Sequence, residues 1–132
     1  MRPIAALSAA CALLVAGCGG DEDDERSHGE PVTFRAGEPV RVVGGEYFFR
    51  PADVVVSGAR GETGVRFLLV NEGALAHNLK VFADGRELGG TPTFPGGETR
   101  SGTVRLRPGN YRLVCTVGDH AELGMTGRLV VR

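Results

Sequence analysis

Short runs of β-branched and alternating apolar residues, separated by turn signals, recur from Val32 to the end of the chain. No segment keeps the apolar period of an amphipathic helix over a convincing length. The runs that predict strands are Val40–Val43, Asp53–Ser57, Val65–Asn71, Asn78–Phe82, Gly102–Arg107, Tyr111–Thr116 and Gly127–Val131. Seven or eight strands at this spacing over about 100 residues predict an all-β fold, a sandwich of two sheets.

Glycine-containing stretches of two or three residues lie between these runs and predict the turns. They are Gly44-Gly45, Ser57-Gly58, Asp84-Gly85, Gly89-Gly90, Pro95 to Gly97 and Pro108 to Asn110. In the run Tyr111–Thr116, alternation places Leu113 and Cys115 on one face and Arg112 on the other. We therefore expect Cys115 on the buried face, where a strand ends and a loop begins.

The N-terminus predicts export. Arg2 precedes an apolar run, Ile4–Gly17, of fourteen uncharged residues, which is shorter than the roughly 20 that a membrane-spanning helix needs. Small residues then precede Cys18. This arrangement resembles the lipobox of bacterial lipoproteins, in which the cysteine is lipidated. We expect a lipoprotein signal peptide at residues 1–17. An ordinary cleaved signal with an incidental cysteine and an uncleaved anchor helix are the alternatives, and each also exports the protein.

Residues 18–31 contain the acidic block from Asp21 to Glu25 and no apolar period, which predicts a flexible tether. Lipid on Cys18 would hold the protein at the outer face of the cell membrane or on its periplasmic side. Residues 32–132 then form the folded domain. The chain has 15 basic and 16 acidic residues with no basic stripe, so we expect no nucleic-acid partner.

The chain has 3 cysteines, of which Cys11 lies in the signal peptide and Cys18 at the lipobox. The folded domain therefore holds one thiol, that of Cys115, and cannot form an internal disulfide. Either Cys115 is buried as a small apolar residue, or its sulfur binds a ligand.

Three sulfur- or imidazole-bearing residues, Cys115, His120 and Met125, follow one another with four residues in each interval. His77 lies at the start of a distant predicted strand. Two imidazoles and a thiolate in one plane, with a weak thioether above it, form the blue-copper electron-transfer site. Zinc would collect Cys and His without needing Met. These four residues are the candidate ligands of one type 1 copper ion, although each also has an ordinary structural explanation.

With these residues in order, the chain from Val40 resembles the cupredoxin family of small blue copper proteins. The matching stretches are Tyr47 to Pro51, Asn71 to Asn78, and Pro108 to Gly127. The resemblance implies a Greek-key sandwich with copper at one pole and His120 as the ligand nearest the surface. It also implies that Asn78, with Thr116 as its partner, ties together the two segments that carry the ligands.

One departure from the family pattern precedes the loop histidine. Many relatives have Pro-Gly there, whereas this chain has Gly118-Asp119. The missing proline restores a backbone N–H. We therefore expect the N–H of Gly118 to approach the sulfur of Cys115 and raise the reduction potential.

The leading functional hypothesis is a monomeric one-electron carrier that docks redox proteins near His120, without a small-molecule substrate. The flanking residues Ala76, Ala121, Leu123 and Gly124 could form a small apolar docking patch. The alternatives are copper storage or delivery and a metal-free sandwich used in adhesion or sensing. We do not expect an enzyme, because only His28 remains to supply a further imidazole and no second cysteine lies near Cys115.

Overall fold

The computed structural model describes residues 29–132. The predicted signal peptide, Cys18 and the acidic block lie outside the described residues. The described part contains ten β-strands. They are β1 (Val32–Arg35), β2 (Val40–Gly45), β3 (Phe48–Arg50), β4 (Asp53–Ser57), β5 (Thr63–Asn71), β6 (Lys80–Ala83), β7 (Arg86–Gly90), β8 (Thr99–Leu106), β9 (Gly109–Val114) and β10 (Thr126–Val131).

The strands form two sheets. The six-stranded sheet has the order β1-β4-β10-β9-β6-β7, and the four-stranded sheet has the order β3-β2-β5-β8. Both sheets are mixed, because β4 pairs in parallel with β1 and β10, and β2 pairs in parallel with β5. The predicted Greek-key β-sandwich is confirmed. Among residues 29–132, no helix is long and apolar enough to cross a membrane.

The core lies between the sheets and follows from the alternation of each strand. In β5, Val65, Phe67 and Leu69 are at most 3% exposed, and the residues between them are more exposed. Leu113 in β9 and Leu129 in β10 are fully buried in the six-stranded sheet. Each such side chain stabilises the fold by about 1.5–3 kcal/mol relative to full exposure. The core thus fixes the strand ends from which the site loops emerge.

The structure has more strands than the seven or eight predicted, and the unpredicted ones are short strands at sheet edges. Strands β1 and β7 bound the six-stranded sheet and are largely exposed, so they lack the alternation that marks a half-buried strand. Strand β3 lies at an edge of the other sheet, within the stretch Tyr47–Pro51 that carries part of the family resemblance.

The predicted turns divide into two groups. Asp84 and Gly85, with φ of 49° and 72°, form the two-residue turn between β6 and β7, as predicted. Gly44-Gly45 and Gly89-Gly90 were wrong as turns, because these pairs lie within β2 and β7. Close packing explains a glycine in each pair. A Cβ at Gly45 would lie 2.7 Å from the ring of Phe48, and one at Gly90 would overlap the carbonyl oxygen of Leu79.

Candidate metal site

The loop between β9 and β10 begins at Cys115 and ends at Met125, and we call it the ligand loop. Antiparallel pairing of Val114 with Thr126 brings its two ends together. The N–H of Cys115 consequently donates to the carbonyl of Met125 at 3.1 Å. Cys115 and Met125 are both fully buried, so the predicted burial of Cys115 directly after a strand is confirmed.

Backbone hydrogen bonds inside the ligand loop return the chain toward Cys115. The N–H of His120 donates to the carbonyl of Val117 at 3.1 Å, and the N–H of Met125 donates to the carbonyl of His120 at 2.9 Å. Gly124, with a φ of 115°, closes the last turn before Met125. The loop therefore holds the His120 ring above Cys115 largely through its own backbone.

His77 comes from residues 71–78, which begin with the last residue of β5 and continue toward β6, and which we call the histidine segment. His77 and Phe94 form an isolated antiparallel bridge, each N–H donating to the other's carbonyl at 3.1 Å. The His77 side chain is fully buried, because this bridge places it inside one end of the sandwich.

Three donor atoms from these two segments converge. Nδ1 of His77 lies 3.1 Å from Nδ1 of His120, and Sγ of Cys115 lies 4.0 Å from the first nitrogen and 3.6 Å from the second. The circle through the three atoms has a radius of about 2.1 Å. A first-row metal such as zinc bonds histidine nitrogen and cysteine sulfur at about 2.0–2.3 Å. The three residues therefore fit a single metal ion without rearrangement.

Met125 lies beside the four-stranded sheet at the end of the ligand loop. A Cβ added to Gly44 of β2 would be 3.1 Å from the terminal methyl of Met125, so the absence of a side chain at Gly44 makes room for the thioether. The structure thus brings His77, Cys115 and His120 together and places Met125 in the same buried end of the fold.

His120 is the least buried of the converging residues, although it is only 7% exposed. The half-buried ring of Tyr47 packs on it, with ring centroids 4.8 Å apart. Around it, Leu123 is 49% exposed and Ala121 and Gly124 are half-buried. Leu75, which the predicted docking patch did not include, is 44% exposed and lies two residues before His77.

Asn78 joins the histidine segment to the ligand loop. Its side-chain nitrogen donates to Thr116 Oγ1 at 2.9 Å and to Thr93 Oγ1 at 2.8 Å, and its oxygen accepts from the N–H of Thr116 at 2.9 Å. Asn78 is 2% exposed. These bonds keep Cys115, the neighbour of Thr116, in register with His77.

Asn71 and Glu46 shape the histidine segment. The Asn71 amide donates to the carbonyl of Leu75 at 2.9 Å and accepts from the N–H of Gly73 at 3.0 Å. The Glu46 carboxylate lies 2.8 Å from Nε2 of His77 and accepts from the N–H of Leu75 at 2.9 Å. These bonds, the one from Leu75 most strongly, lower the pKa of Glu46 below its ordinary value.

Glu46 was missed at the sequence level. It precedes His77 by 31 residues in a turn between two strands, where an acidic residue ordinarily faces water. Only the pairing of β2 with β5 brings that turn to the histidine segment.

The expected contact between Gly118 and the Cys115 sulfur was wrong. Within residues 29–132, the N–H of Gly118 makes no hydrogen bond to that sulfur. Gly118 has a φ of 47°, a left-handed conformation closed to proline, whose ring fixes φ near −65°. Gly118 therefore adopts a backbone conformation that proline cannot adopt, and a proline here would require a different backbone path for the loop.

Comparison with known proteins supports the resemblance at the level of the fold. No family model matches the sequence, and no curated protein matches it significantly. Solved structures do match. Reduced auracyanin from Roseiflexus castenholzii is 17% identical, with a TM-score of 0.62 over 74% of this chain and 98% of its own.

Two further structures agree. Auracyanin A from Chloroflexus aurantiacus, described as a "blue" copper protein, is 24% identical, with a TM-score of 0.53 over 77% of this chain and 99% of its own. Rusticyanin from Thiobacillus ferrooxidans is 21% identical, with a TM-score of 0.53 over 79% of this chain and 83% of its own. The chain therefore has the cupredoxin fold.

Proposed function

We propose that this protein is a one-electron carrier in which His77, Cys115 and His120 hold a single type 1 copper ion, with Met125 as a weak fourth ligand. The observation that carries the proposal is the convergence of two imidazole nitrogens and one sulfur on a point about 2.1 Å from each. This convergence occurs in a fold shared with a protein described as a blue copper protein.

The donor set favours copper over other metals. Thiolate and thioether sulfur favour Cu(I), and imidazole suits copper in both oxidation states. When bound, copper supplies a couple that gains and loses one electron. Zinc would need no thioether, so the burial of Met125 beside the three donors supports copper.

The protein holds its donors in nearly fixed positions. Cys115 and His77 are fully buried and joined through Asn78 and Thr116. Fixed donors limit the rearrangement that accompanies a change in oxidation state, and a small rearrangement lowers the barrier to electron transfer. Burial also opposes rapid release of the metal, which favours the carrier over the storage or delivery alternative.

Electrons would leave through His120, the converging residue nearest the surface. An apolar surface for a redox partner is supplied by the exposed side chains of Leu123 and Leu75, together with Ala76, Ala121 and Gly124. Small, weak interfaces are normal for such encounters. We propose no catalytic activity and no small-molecule substrate for this surface, and we propose that the carrier acts as a monomer.

The proposed carrier works outside the cytoplasm. Residues 32–132 would be the copper-binding domain, residues 18–31 its tether, and Cys18 the site of lipidation after removal of residues 1–17. The support is the apolar run and small-residue approach to Cys18, and two acyl chains would suffice for stable membrane attachment.

The test is an optical and paramagnetic-resonance spectrum of the exported protein after addition of Cu(II), followed by voltammetry. The expected result is an intense visible absorption from thiolate to copper and a reversible one-electron wave. Absence of that absorption would leave a metal-free sandwich. Copper that binds, passes quickly to a chelator and shows no reversible wave would establish storage or delivery instead.

A further inference from the structure

The carboxylate of Glu46 contacts the edge of the His77 ring that lies opposite the candidate metal site. Oε1 of Glu46 lies 2.8 Å from Nε2 of His77, whereas Nδ1 of the same ring lies 3.1 Å from Nδ1 of His120. The two nitrogens of the His77 ring therefore have different neighbours, one an acidic side chain and the other the candidate metal site.

This contact determines which nitrogen carries the proton. An ionised carboxylate can only accept hydrogen bonds, so Nε2 of a neutral His77 must carry the hydrogen that it donates to Glu46. Nδ1 is then left with a free lone pair directed at the converging donors. Metal-binding histidines commonly use their second nitrogen in this way, and the partner fixes the ring and raises its basicity.

The carboxylate is itself held in place. It accepts from the N–H of Leu75 at 2.9 Å and from the N–H of Ala74 at 3.2 Å. Gly73 lies so close that a Cβ there would overlap the carboxylate oxygens. Together with Nε2 of His77, these two N–H groups give Glu46 three hydrogen-bond partners from the histidine segment. The absence of a side chain at Gly73 permits the carboxylate to come this close.

We propose that Glu46 is a positioning residue for the copper site: it fixes the His77 ring with Nδ1 unprotonated, and its negative charge favours the oxidised state of the bound metal. The inference rests on the proposed function for its redox part. Its first part concerns the metal-free protein and can be tested without copper.

Two substitutions separate hydrogen bonding from charge. In Glu46→Gln the side-chain carbonyl still accepts from Nε2–H of His77, but the charge is lost. We expect this variant to bind Cu(II) about tenfold more weakly relative to Cu(I), which corresponds to a rise in reduction potential of about 59 mV. In Glu46→Ala we expect total copper affinity to fall about 10- to 100-fold.

The copper-independent readout is the 15N NMR spectrum of the His77 imidazole in the metal-free protein. The unaltered chain and Glu46→Gln should show the Nε2–H form, and Glu46→Ala should show a mixture of both forms. A merely structural role for Glu46 would change unfolding stability without moving the tautomer or the potential.

The matched control is Glu72→Gln. Glu72 is an exposed acid of the histidine segment, and among the described residues its carboxylate makes no hydrogen bond to His77. A potential that rises in Glu46→Gln and stays near the original value in Glu72→Gln supports the proposal. Equal shifts in both variants, or an unchanged tautomer in Glu46→Ala, overturn it. If the unaltered protein takes up no copper, the proposed function fails, while the tautomer measurement still decides the role of Glu46.

Discussion

The ligand loop and the histidine segment supply donors to the same point but are held in different ways. In the ligand loop, backbone bonds between neighbours, such as those from His120 to Val117 and from Met125 to His120, set the shape. In the histidine segment, side-chain hydrogen bonds do so: those of Asn71, at the end of β5, and those of Glu46, which comes from the turn after β2. One shape is local in the sequence, and the other depends on the assembled fold.

This difference implies that the two parts of the site respond differently to mutation. A change in the ligand loop acts on the donors directly, because Cys115, His120 and Met125 all lie within this one short loop. A change in the histidine segment acts through tertiary contacts, so distant residues can alter His77 without touching Cys115. Asn78 is where the two parts meet.

The largest expected effect follows removal of the one donor that no other side chain can replace. In Cys115→Ala we expect complete loss of the visible thiolate-to-copper absorption after copper addition, because the chain then lacks the sulfur that produces it. Far-ultraviolet circular dichroism should show a retained fold, since alanine leaves the β9–β10 pairing intact. A variant that keeps the absorption would remove Cys115 from the site.

A stability effect is expected where the two segments join. Asn78→Ala removes three part-buried hydrogen bonds and leaves the N–H of Thr116 without its acceptor. We expect a loss of about 1–3 kcal/mol in the free energy of unfolding, measured by denaturant titration of the metal-free protein. Asn110→Ala, at an exposed position in β9, is the control and should change the free energy little. Equal losses in both variants would show that Asn78 does not join the segments.

The local part of the site could be read from the sequence, and the tertiary part could not. Alternation along Tyr111–Thr116 was enough to predict the burial of Cys115. The intervals from Cys115 to His120 and Met125 were enough to predict the ligand loop. Glu46 carried no such signal, because its approach to His77 is created by pairing between β2 and β5.

The same contrast holds for the fold itself. Half-buried strands such as β5 show alternation and were predicted, whereas the exposed edge strands β1 and β7 show none. Gly44-Gly45 resembles a turn in sequence, but neighbours that only the folded state brings together, Met125 and the ring of Phe48, require these glycines within a strand.

A smaller effect is expected from backbone conformation in the ligand loop. Gly118 has a φ of 47° and open space where a Cβ would lie, so Gly118→Ala should lose about 1–2 kcal/mol through backbone strain alone. The control is Gly64→Ala in β5, where a Cβ would make an ordinary 3.5 Å contact with Thr103 and alanine should be neutral or stabilising. Chemical denaturation of the metal-free variants measures both, and an equal response would show that the conformation at Gly118 is not required.

The smallest expected change in copper retention follows substitution of the axial candidate. Met125→Leu keeps a buried apolar side chain of similar volume, which costs less than about 1.5 kcal/mol of stability. We expect copper to remain bound and its reduction potential to rise, because a weak axial thioether tunes the site more than it holds the metal. Voltammetry and the visible spectrum of the copper-loaded variant check this. Loss of copper in Met125→Leu would instead make Met125 a principal ligand, and the ligand loop would then supply three strong donors against the single imidazole of the histidine segment.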